Sequence, residues 1–290
     1  MKRILHVIGA RPNYIKASPV INAIDFAEQV VLNTGQHYDK NLSSDIMNSL
    51  NMNSPDINLS LSDRSAPSNA FERLARLIEE LHKNIKELNP NIIVLYGDID
   101  STLAASIVAS RMGIPIVHVE SGLRSFDDRM PEEINRKIVD KLSSIHFVTE
   151  QSGIDNLKLE GHNKSIRFVG NSMIDSLKKM MESELYKKSK YKNNGNILLT
   201  CHRPSNVDNS LALHKILSMC KNIKKKIVWP LHPRTLNNMK KFSLLQEFEN
   251  IENLDLVEPL NYCDFVKMMS TSSLIITDSG GIQEETTYMK

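Results

Sequence analysis

Residues 71–98, FERLARLIEELHKNIKELNPNIIVLYGD, contain the pattern that decides the fold. Apolar residues recur at helical spacing from Phe71 to Leu88, which predicts an amphipathic helix. The run from Ile92 to Tyr96 is then continuously apolar and rich in β-branched residues, as in parallel strands that are buried on both faces. Gly97 and Asp98 follow directly. A helix followed by a fully buried strand is the repeating unit of a parallel α/β sheet.

The same alternation continues along the whole chain. Further strand-like runs lie at residues 4–8, 30–34, 114–119, 145–149, 166–169, 197–200, 226–230, 254–257 and 274–277. The length of 290 residues favours two domains over one. We therefore predict an α/β fold of two doubly wound parallel-sheet domains, residues 1–170 and 171–290. The boundary is placed where a long lysine-rich helix and a polar loop separate two strands.

Composition excludes several classes of protein. The 36 Lys and Arg nearly balance the 34 Asp and Glu, which argues against a protein held on nucleic acid by bulk charge. Cys201, Cys220 and Cys263 have no C-x-x-C spacing, so we expect reduced structural thiols and no metal site. No apolar run approaches the roughly 18 residues of a membrane span. We therefore expect a cytoplasmic protein without a membrane partner.

Unusual polar residues come directly after the predicted strands. They lie at residues 9–12, 97–98, 120–122, 201–204, 232–234 and 278–281. In open parallel sheets, ligands bind in the crevice beyond the carboxyl ends of the strands. Because both halves contribute such residues, we expect a binding site in a cleft between two facing domains. The first of these loops lacks the G-x-G-x-x-G fingerprint, so no nicotinamide or flavin cofactor is indicated.

The turn Ser279-Gly280-Gly281 precedes a predicted helix. Glycines there let backbone N–H groups approach a phosphate, and a helix N-terminus favours negative charge. Glu284 and Glu285 on the first helical turn are candidates for contacts with ribose hydroxyls. The alternative is an ordinary tight turn whose acids complement the helix dipole.

Charged residues near the ends of the other strands are candidates for binding and proton transfer. The cations Arg11 and Lys16 suit a phosphate or a carboxylate, with a structural ion pair as the alternative. The acids Asp98, Glu120 and Glu132 are candidates for proton transfer, with a buried salt bridge or a helix cap as the alternative. His202, in the second half, is a candidate general acid.

The order of the motifs resembles that of a known family. GARPNYIK, TGQHYD, GD (residues 97–98), HVESGLRS, MPEEINR, GNSMID (residues 170–175), TCHRPSNVDN, PLHPRT and DSGGIQEE occur here in the order found in the non-hydrolysing UDP-N-acetylglucosamine 2-epimerases. The resemblance extends over the whole chain. It implies the GT-B architecture of two facing Rossmann-like domains, a homodimer, no cofactor, and the interconversion of UDP-N-acetylglucosamine with UDP-N-acetylmannosamine for surface polysaccharide synthesis.

The same resemblance implies a mechanism. UDP leaves C1 through an oxocarbenium-like state, loss of the C2 proton gives 2-acetamidoglucal, and UDP then adds back with protonation on the other face. The carboxylates that this implies near C2 are Asp98, Glu120 and Glu132, with base and acid left unassigned. His202 would lie beside the leaving diphosphate. The implied substrate-binding residues are Arg11, Lys16, Ser279, Gly280, Gly281 and Glu285.

Two departures from the family pattern affect these expectations. Asp100 adds a negative charge where relatives usually have Thr or Asn, so it either points away or alters sugar preference. Relatives continue beyond the DSGGIQEE helix, so we expect an incomplete second domain and a poorly active or inactive chain. The alternatives are an epimerase of a 2,3-diacetamido UDP-sugar and a GT-B glycosyltransferase that uses a UDP-sugar.

Overall fold

The structure is a computed structural model that describes residues 2–9, 11–35, 47, 50, 52–59 and 69–289, without the side chain of Arg11. The chain divides into two compact units, Met1–Ser176 and Leu177–Lys290. None of the helices in these described residues is both long and apolar enough to span a membrane. Cys201, Cys220 and Cys263 are all free and buried.

Within the described residues, the first unit is built on a parallel sheet of seven strands. They are β1 (Arg3–Ile8), β2 (Glu28–Asn33), β3 (Ile57–Asn58), β4 (Ile92–Tyr96), β5 (Ile116–Val119), β6 (Ile145–Val148) and β7 (Ile166–Phe168). Their order across the sheet is β3-β2-β1-β4-β5-β6-β7. The helices are α1 (Arg11–Asn22), α2 (Ala70–Leu88), α3 (Asp100–Arg111), α4 (Pro131–Leu142), α5 (Gln151–Leu159) and α6 (Ser172–Glu182), the last of which continues into the second unit.

The second unit has a parallel sheet of four strands within the described residues. They are β8 (Ile197–Thr200), β9 (Ile227–Pro230), β10 (Leu254–Val257) and β11 (Leu274–Thr277), in the order β10-β9-β8-β11. The helices are α7 (Glu184–Lys188), α8 (Pro204–Val207), α9 (Ser210–Asn222), α10 (Pro233–Lys241), α11 (Leu245–Glu249), α12 (Tyr262–Ser270) and α13 (Gly280–Met289). Its core centres on Trp229, which makes an edge-on contact with Phe248.

Burial along the central strands explains why both sheets are covered on two sides. In β1 every residue after Arg3 is buried, and in β4 every residue after Ile92 is buried. Consecutive strand residues point to opposite faces, so both faces of the sheet carry helices. Against this sheet α2 packs Leu77, Leu81 and Ile85. This confirms the predicted doubly wound α/β class.

The two sheets share a strand order. In each one the first strand of the unit is central, the next two strands extend to one side, and the fourth lies on the other side. The order therefore reverses between β1 and β4 in the first unit, and between β8 and β11 in the second. In open α/β sheets such reversals mark the ligand-binding crevice.

All ten predicted strands are present, with ends shifted by up to two residues. The structure adds β3, which pairs with β2 over only two residues and is too short to show a hydrophobic pattern.

Candidate functional site

Lys16 and Glu120 form a buried ion pair at the carboxyl edge of the first sheet. Glu120 follows β5, and Lys16 projects from α1. The Lys16 ammonium lies 2.8 Å from Oε1 and 2.7 Å from Oε2 of Glu120, and their side chains are 11% and 8% exposed. Lys16 and Glu120 therefore form an ion pair, which is the structural alternative to a functional role for each of them. The pair lies at the sheet edge where the sequence predicts a ligand.

The backbone of Glu120 is in the left-handed region, at φ +73°. Residues other than glycine rarely adopt it, and such strain is concentrated at functional sites, where the surrounding structure holds it. The N–H of Glu120 donates to the Phe147 carbonyl at 3.0 Å. Two residues on, Gly122 lies against the backbone of Gly153, and a Cβ at Gly122 would collide with the Gly153 carbonyl. The turn that carries Glu120 is therefore tightly fitted.

Gly97 leaves the space that the Lys16 ammonium occupies. Its φ is +65°, and a Cβ there would lie 3.2 Å from Lys16 Nζ. The preceding carbonyl, of Tyr96, accepts a hydrogen bond from the Asn13 amide at 2.8 Å. Asn13 in turn accepts from the Gly9 N–H at 3.3 Å, which joins the ends of β1 and β4. The Lys16 ammonium thus lies beside the joined ends of β1 and β4, the strands between which the order of the first sheet reverses.

Asp98 is held by α4. Its carboxylate pairs with Arg136, and its backbone carbonyl accepts from the Asn135 amide at 2.8 Å. The same amide lies 3.3 Å from Oδ1 of Asp100, so the acid that departs from the family pattern is turned toward α4. Glu132 lies exposed on the first turn of this helix. The helix α4 therefore carries one candidate acid and fixes another.

Glu133, rather than its predicted neighbour Glu132, is the buried acid of this helical turn. Its carboxylate accepts from the Ser125 N–H at 2.8 Å, the Ser125 hydroxyl at 3.0 Å and the Phe126 N–H at 3.2 Å. Burial raises the pKa of Glu133, but these donors and Arg136 outweigh it and leave the pKa below its ordinary value. Glu133 thus holds the loop that leads into α4, and Glu132 keeps its side chain toward solvent.

In the second unit, Asp278 gathers the segment that follows β8. Its carboxylate accepts from the backbone N–H groups of His202 (2.9 Å) and Arg203 (2.8 Å) and from the Asn206 amide (3.0 Å). Its Oδ1 lies 3.0 Å from His202 Nδ1. Burial raises the pKa of Asp278, but His202 and these other donors outweigh it and hold the pKa well below its usual range. Because Nδ1 is engaged, Nε2 is the nitrogen that His202 offers to a ligand.

The turn after β11 leads directly into the N-terminus of α13. Ser279 precedes Gly280, where α13 begins, and its N–H donates to the Thr277 hydroxyl at 3.0 Å. A Cβ on Gly280 would lie 4.0 Å from a terminal guanidinium nitrogen of Arg203. A positive side chain thus lies at the positive end of a helix dipole. Glu285 is buried one turn further along and accepts from the Tyr262 hydroxyl at 2.7 Å.

Some of the predicted site residues contact partners that no sequence pattern indicates. The sequence pairs neither Asp98 with Arg136 nor His202 with Asp278, although all four lie in the motifs quoted above. For Asp278, the signal was its position directly after an apolar strand. Arg11 begins α1, but its side chain is outside the described part of the chain.

Two parallel sheets of matching order, each with charged side chains beyond its strands, define a protein of the nucleotide-binding α/β class. The sequence profile of the family described as UDP-N-acetylglucosamine 2-epimerase matches residues 21–290. The chain belongs to this family, and its fold is of the GT-B type.

Individual relatives are similar over nearly the whole chain. A UDP-N-acetylglucosamine 2-epimerase homolog of Methanococcus maripaludis is 36% identical over 99% of this chain and 82% of its own length. A UDP-2,3-diacetamido-2,3-dideoxy-D-glucuronate 2-epimerase of Pseudomonas aeruginosa is 35% identical over 98% of this chain and 80% of its own. The crystal structure of Methanocaldococcus jannaschii UDP-GlcNAc 2-epimerase, in complex with UDP-GlcNAc and UDP, matches with a TM-score of 0.90, 32% identity, and coverage of 99% and 82%.

Proposed function

We propose that this protein is a UDP-N-acetylglucosamine 2-epimerase that interconverts UDP-GlcNAc and UDP-ManNAc. Family membership supports the activity. The observation that carries the chemistry is the turn at Glu120, at the carboxyl edge of the first sheet. The carboxylate of Glu120 is buried and paired with Lys16, and its backbone is in the left-handed region. Strain and burial at one carboxylate are typical of a group with a chemical task.

The reaction proceeds by elimination and addition. The C1–O bond to the diphosphate breaks, and both electrons leave with UDP. A carboxylate then takes the proton from C2 of the oxocarbenium-like species, and the former C2–H electrons form the C1–C2 double bond of 2-acetamidoglucal. In the second half, a proton is added to the opposite face of C2 and UDP returns to C1. No redox change occurs, because the electrons removed with UDP return with it.

In the first unit, we assign the proton transfers to the acids Asp98, Glu120 and Glu132. Lys16 contributes positive charge next to Glu120, and Arg136 does the same for Asp98. Arg11 is assigned to substrate binding from its motif alone.

In the second unit, we assign the diphosphate to the N-terminal turn of α13. The turn Ser279-Gly280-Gly281 provides backbone donors, and His202 provides a proton or a hydrogen bond to the leaving oxygen through Nε2. Asp278 supports this role because it engages Nδ1 and thereby orients the ring. Glu285, which also holds the Tyr262 hydroxyl, is assigned to the ribose.

The test is the incubation of purified protein with UDP-GlcNAc alone, followed by chromatography and proton NMR of the nucleotide sugars. The account predicts that UDP-ManNAc appears without an added acceptor, with 2-acetamidoglucal and UDP as minor species. A requirement for an acceptor would indicate a glycosyltransferase instead. An absence of UDP-ManNAc in every condition that supports UDP binding would contradict the proposal.

A 2,3-diacetamido UDP-uronate is the second candidate substrate, favoured by the relative from Pseudomonas aeruginosa. The ratio of kcat/KM for the two substrates decides between them, and a higher value for the uronate would reverse the assignment.

We further propose that the protein acts in the cytoplasm as a homodimer and supplies precursors for surface polysaccharide. The three buried free cysteines suit a reducing compartment. Light scattering coupled to size exclusion is the measurement of oligomeric state, and a monomeric mass across the working concentration range would contradict the dimer.

A further inference from the structure

A buried cluster of charged residues lies next to the turn that carries Glu120. It consists of His118, Arg124 and Asp140, with the exposed Glu160 at its edge. Asp140 Oδ1 lies 2.6 Å from His118 Nδ1, and Oδ2 lies 2.8 Å from an Arg124 nitrogen, with all three side chains at most 1% exposed. Arg124 also pairs with Glu160 at 2.7 Å. Burying charges is costly even when they are paired, so such a cluster calls for an explanation beyond stability.

The hydrogen bonds of His118 connect the residue before Asp98 with Asp140 on α4. Its Nε2 lies 2.9 Å from the Gly97 carbonyl, and its Nδ1 faces Asp140. Burial raises the pKa of Asp140, but His118 and Arg124 outweigh it and hold the pKa well below its ordinary range, so this residue is a carboxylate. The ring of His118 thus bridges the Asp140 carboxylate and the Gly97 carbonyl.

These contacts reach the two loops that carry candidate acids. Gly97 directly precedes Asp98, and His118 precedes Glu120 by two residues. On the other side of the cluster, Asp140 Oδ2 accepts from the Gly122 N–H at 3.0 Å, within the turn that follows Glu120. The imidazole ring of His118 is therefore a cross-link of fixed length between the end of β4 and the end of β5.

The helix α4 completes this arrangement. Asp140 is near its C-terminal end, while Asn135 and Arg136, nearer its start, hold the backbone and the carboxylate of Asp98. Glu132 is on its first turn. The three candidate acids come from three different elements, and α4 with the buried cluster is what they have in common.

We propose that His118, held by Asp140, is a positioning residue that sets the separation of the Asp98 and Glu120 carboxylates. The inference rests on the proposed function, because that separation matters only if the two acids act on one sugar carbon. His118 itself contacts no substrate. A displacement of about 1 Å at reacting groups is enough to slow catalysis by about 10²-fold.

Two isosteric variants separate positioning from a purely structural role. In His118→Gln the amide nitrogen replaces Nε2 and retains the donor to Gly97, while the bond to Asp140 is lost. In His118→Asn the amide nitrogen replaces Nδ1 and retains the bond to Asp140, while the link to Gly97 is lost. The bond to the carboxylate is the stronger one, so His118→Gln should unfold at the lower temperature.

Turnover should follow the opposite order. We expect kcat to fall by about 10²-fold in His118→Asn and by less than about 10-fold in His118→Gln, with KM changed less than about threefold in both. Losses of kcat that follow the order of melting temperatures, or unchanged kcat in both folded variants, would overturn the proposal. His82→Gln, on the exposed face of α2, is the control for handling and should match the wild type.

Crystal structures of the same variants provide a readout that does not depend on activity. The distance between the Asp98 and Glu120 carboxylates should change in His118→Asn and stay as in the wild type in His118→Gln. Wild-type protein that fails to epimerise would contradict the proposed function. An unchanged distance between the Asp98 and Glu120 carboxylates in His118→Asn would contradict the positioning role alone.

Discussion

Asp278 and His202 are 76 residues apart in sequence, yet Oδ1 of the first lies 3.0 Å from Nδ1 of the second. Asp278 follows β11 and His202 follows β8, so the parallel pairing of these strands brings the two residues together. The first unit has a counterpart in Lys16 and Glu120, which are 104 residues apart. In the second unit, the contact lies where the order of the strands reverses; in the first, Lys16 follows β1 at the reversal and Glu120 follows β5, the strand beyond β4.

Asp278→Asn tests whether this contact orients His202. The new amide keeps an oxygen for the backbone N–H groups but places a donor against Nδ1, which removes the carboxylate contact that orients the ring. We expect kcat to fall by about 10²-fold, with a change in the pH profile. Asn206→Ala is the matched control, because it removes one bond to Asp278 and leaves the histidine contact in place. Equal kcat in the two variants would contradict the orienting role.

Glu120→Gln should separate turnover from binding. We expect activity to fall by about 10²–10⁴-fold while the affinity for UDP, measured by calorimetry, stays nearly unchanged. The variant should also lose about 3 kcal/mol of stability, since Lys16 loses its buried partner. The double variant Glu120→Gln/Lys16→Met should recover part of the lost free energy of unfolding, measured in urea, without recovering activity. Loss of UDP affinity together with activity would instead make Glu120 a substrate-positioning or structural residue.

Gly97→Ala and Gly113→Ala form a matched pair. Their φ angles are +65° and +70°, so both alanines carry a backbone penalty of about 1 kcal/mol. Only at Gly97 does the added Cβ meet another group, Lys16 Nζ at 3.2 Å, whereas Gly113 has open space. We therefore expect similar melting temperatures and a selective loss of kcat in Gly97→Ala. Equal kcat in the two variants would show that the space at Gly97 is not needed.

The strands and the extended periodic helices follow from the sequence, but the strand order and the side-chain contacts do not. The helix before β4 was predicted within one residue because its apolar spacing repeats over five turns. By contrast, β3 pairs over two residues and leaves no pattern. Lys16 and Glu120 were each selected as candidates, yet nothing in their surroundings pairs them, because the contact arises from strand order. The sequence gives no signal for Asp140, because an acid near the end of a helix is usually an ordinary surface residue.

Stability should fall as the pH falls from about 6.5 to about 4. Burial lowers the pKa of His6 from 6.5 to about 4, while the hydrogen bond between His6 Nε2 and the accepting amide oxygen of Gln29 acts in the opposite direction. Between these values the unfolded chain binds a proton that the folded chain does not, so the free energy of unfolding decreases with decreasing pH. One such histidine accounts for on the order of 3 kcal/mol, and the loss is complete below the folded pKa.

His6→Gln is the variant that checks this dependence. Urea unfolding at several pH values between 7.5 and 4 should give a flatter profile than the wild type, by about one proton. A residual slope is expected because burial also lowers the pKa of His146. His82→Gln, at an exposed position, should keep the wild-type slope. An unchanged slope in His6→Gln would show that this residue does not titrate as the structure indicates.

The central claim, that this protein removes and replaces the proton at C2 of a UDP-sugar, is tested most directly by proton NMR in deuterated water. With UDP-GlcNAc as the only substrate, the account predicts that the C2 proton signal decays as deuterium is incorporated, and that UDP-ManNAc labelled at C2 accumulates. Glu120→Gln should show neither change while still binding UDP. Formation of UDP-ManNAc that retains its C2 proton, or stable UDP-GlcNAc with folded wild-type protein, would contradict the account.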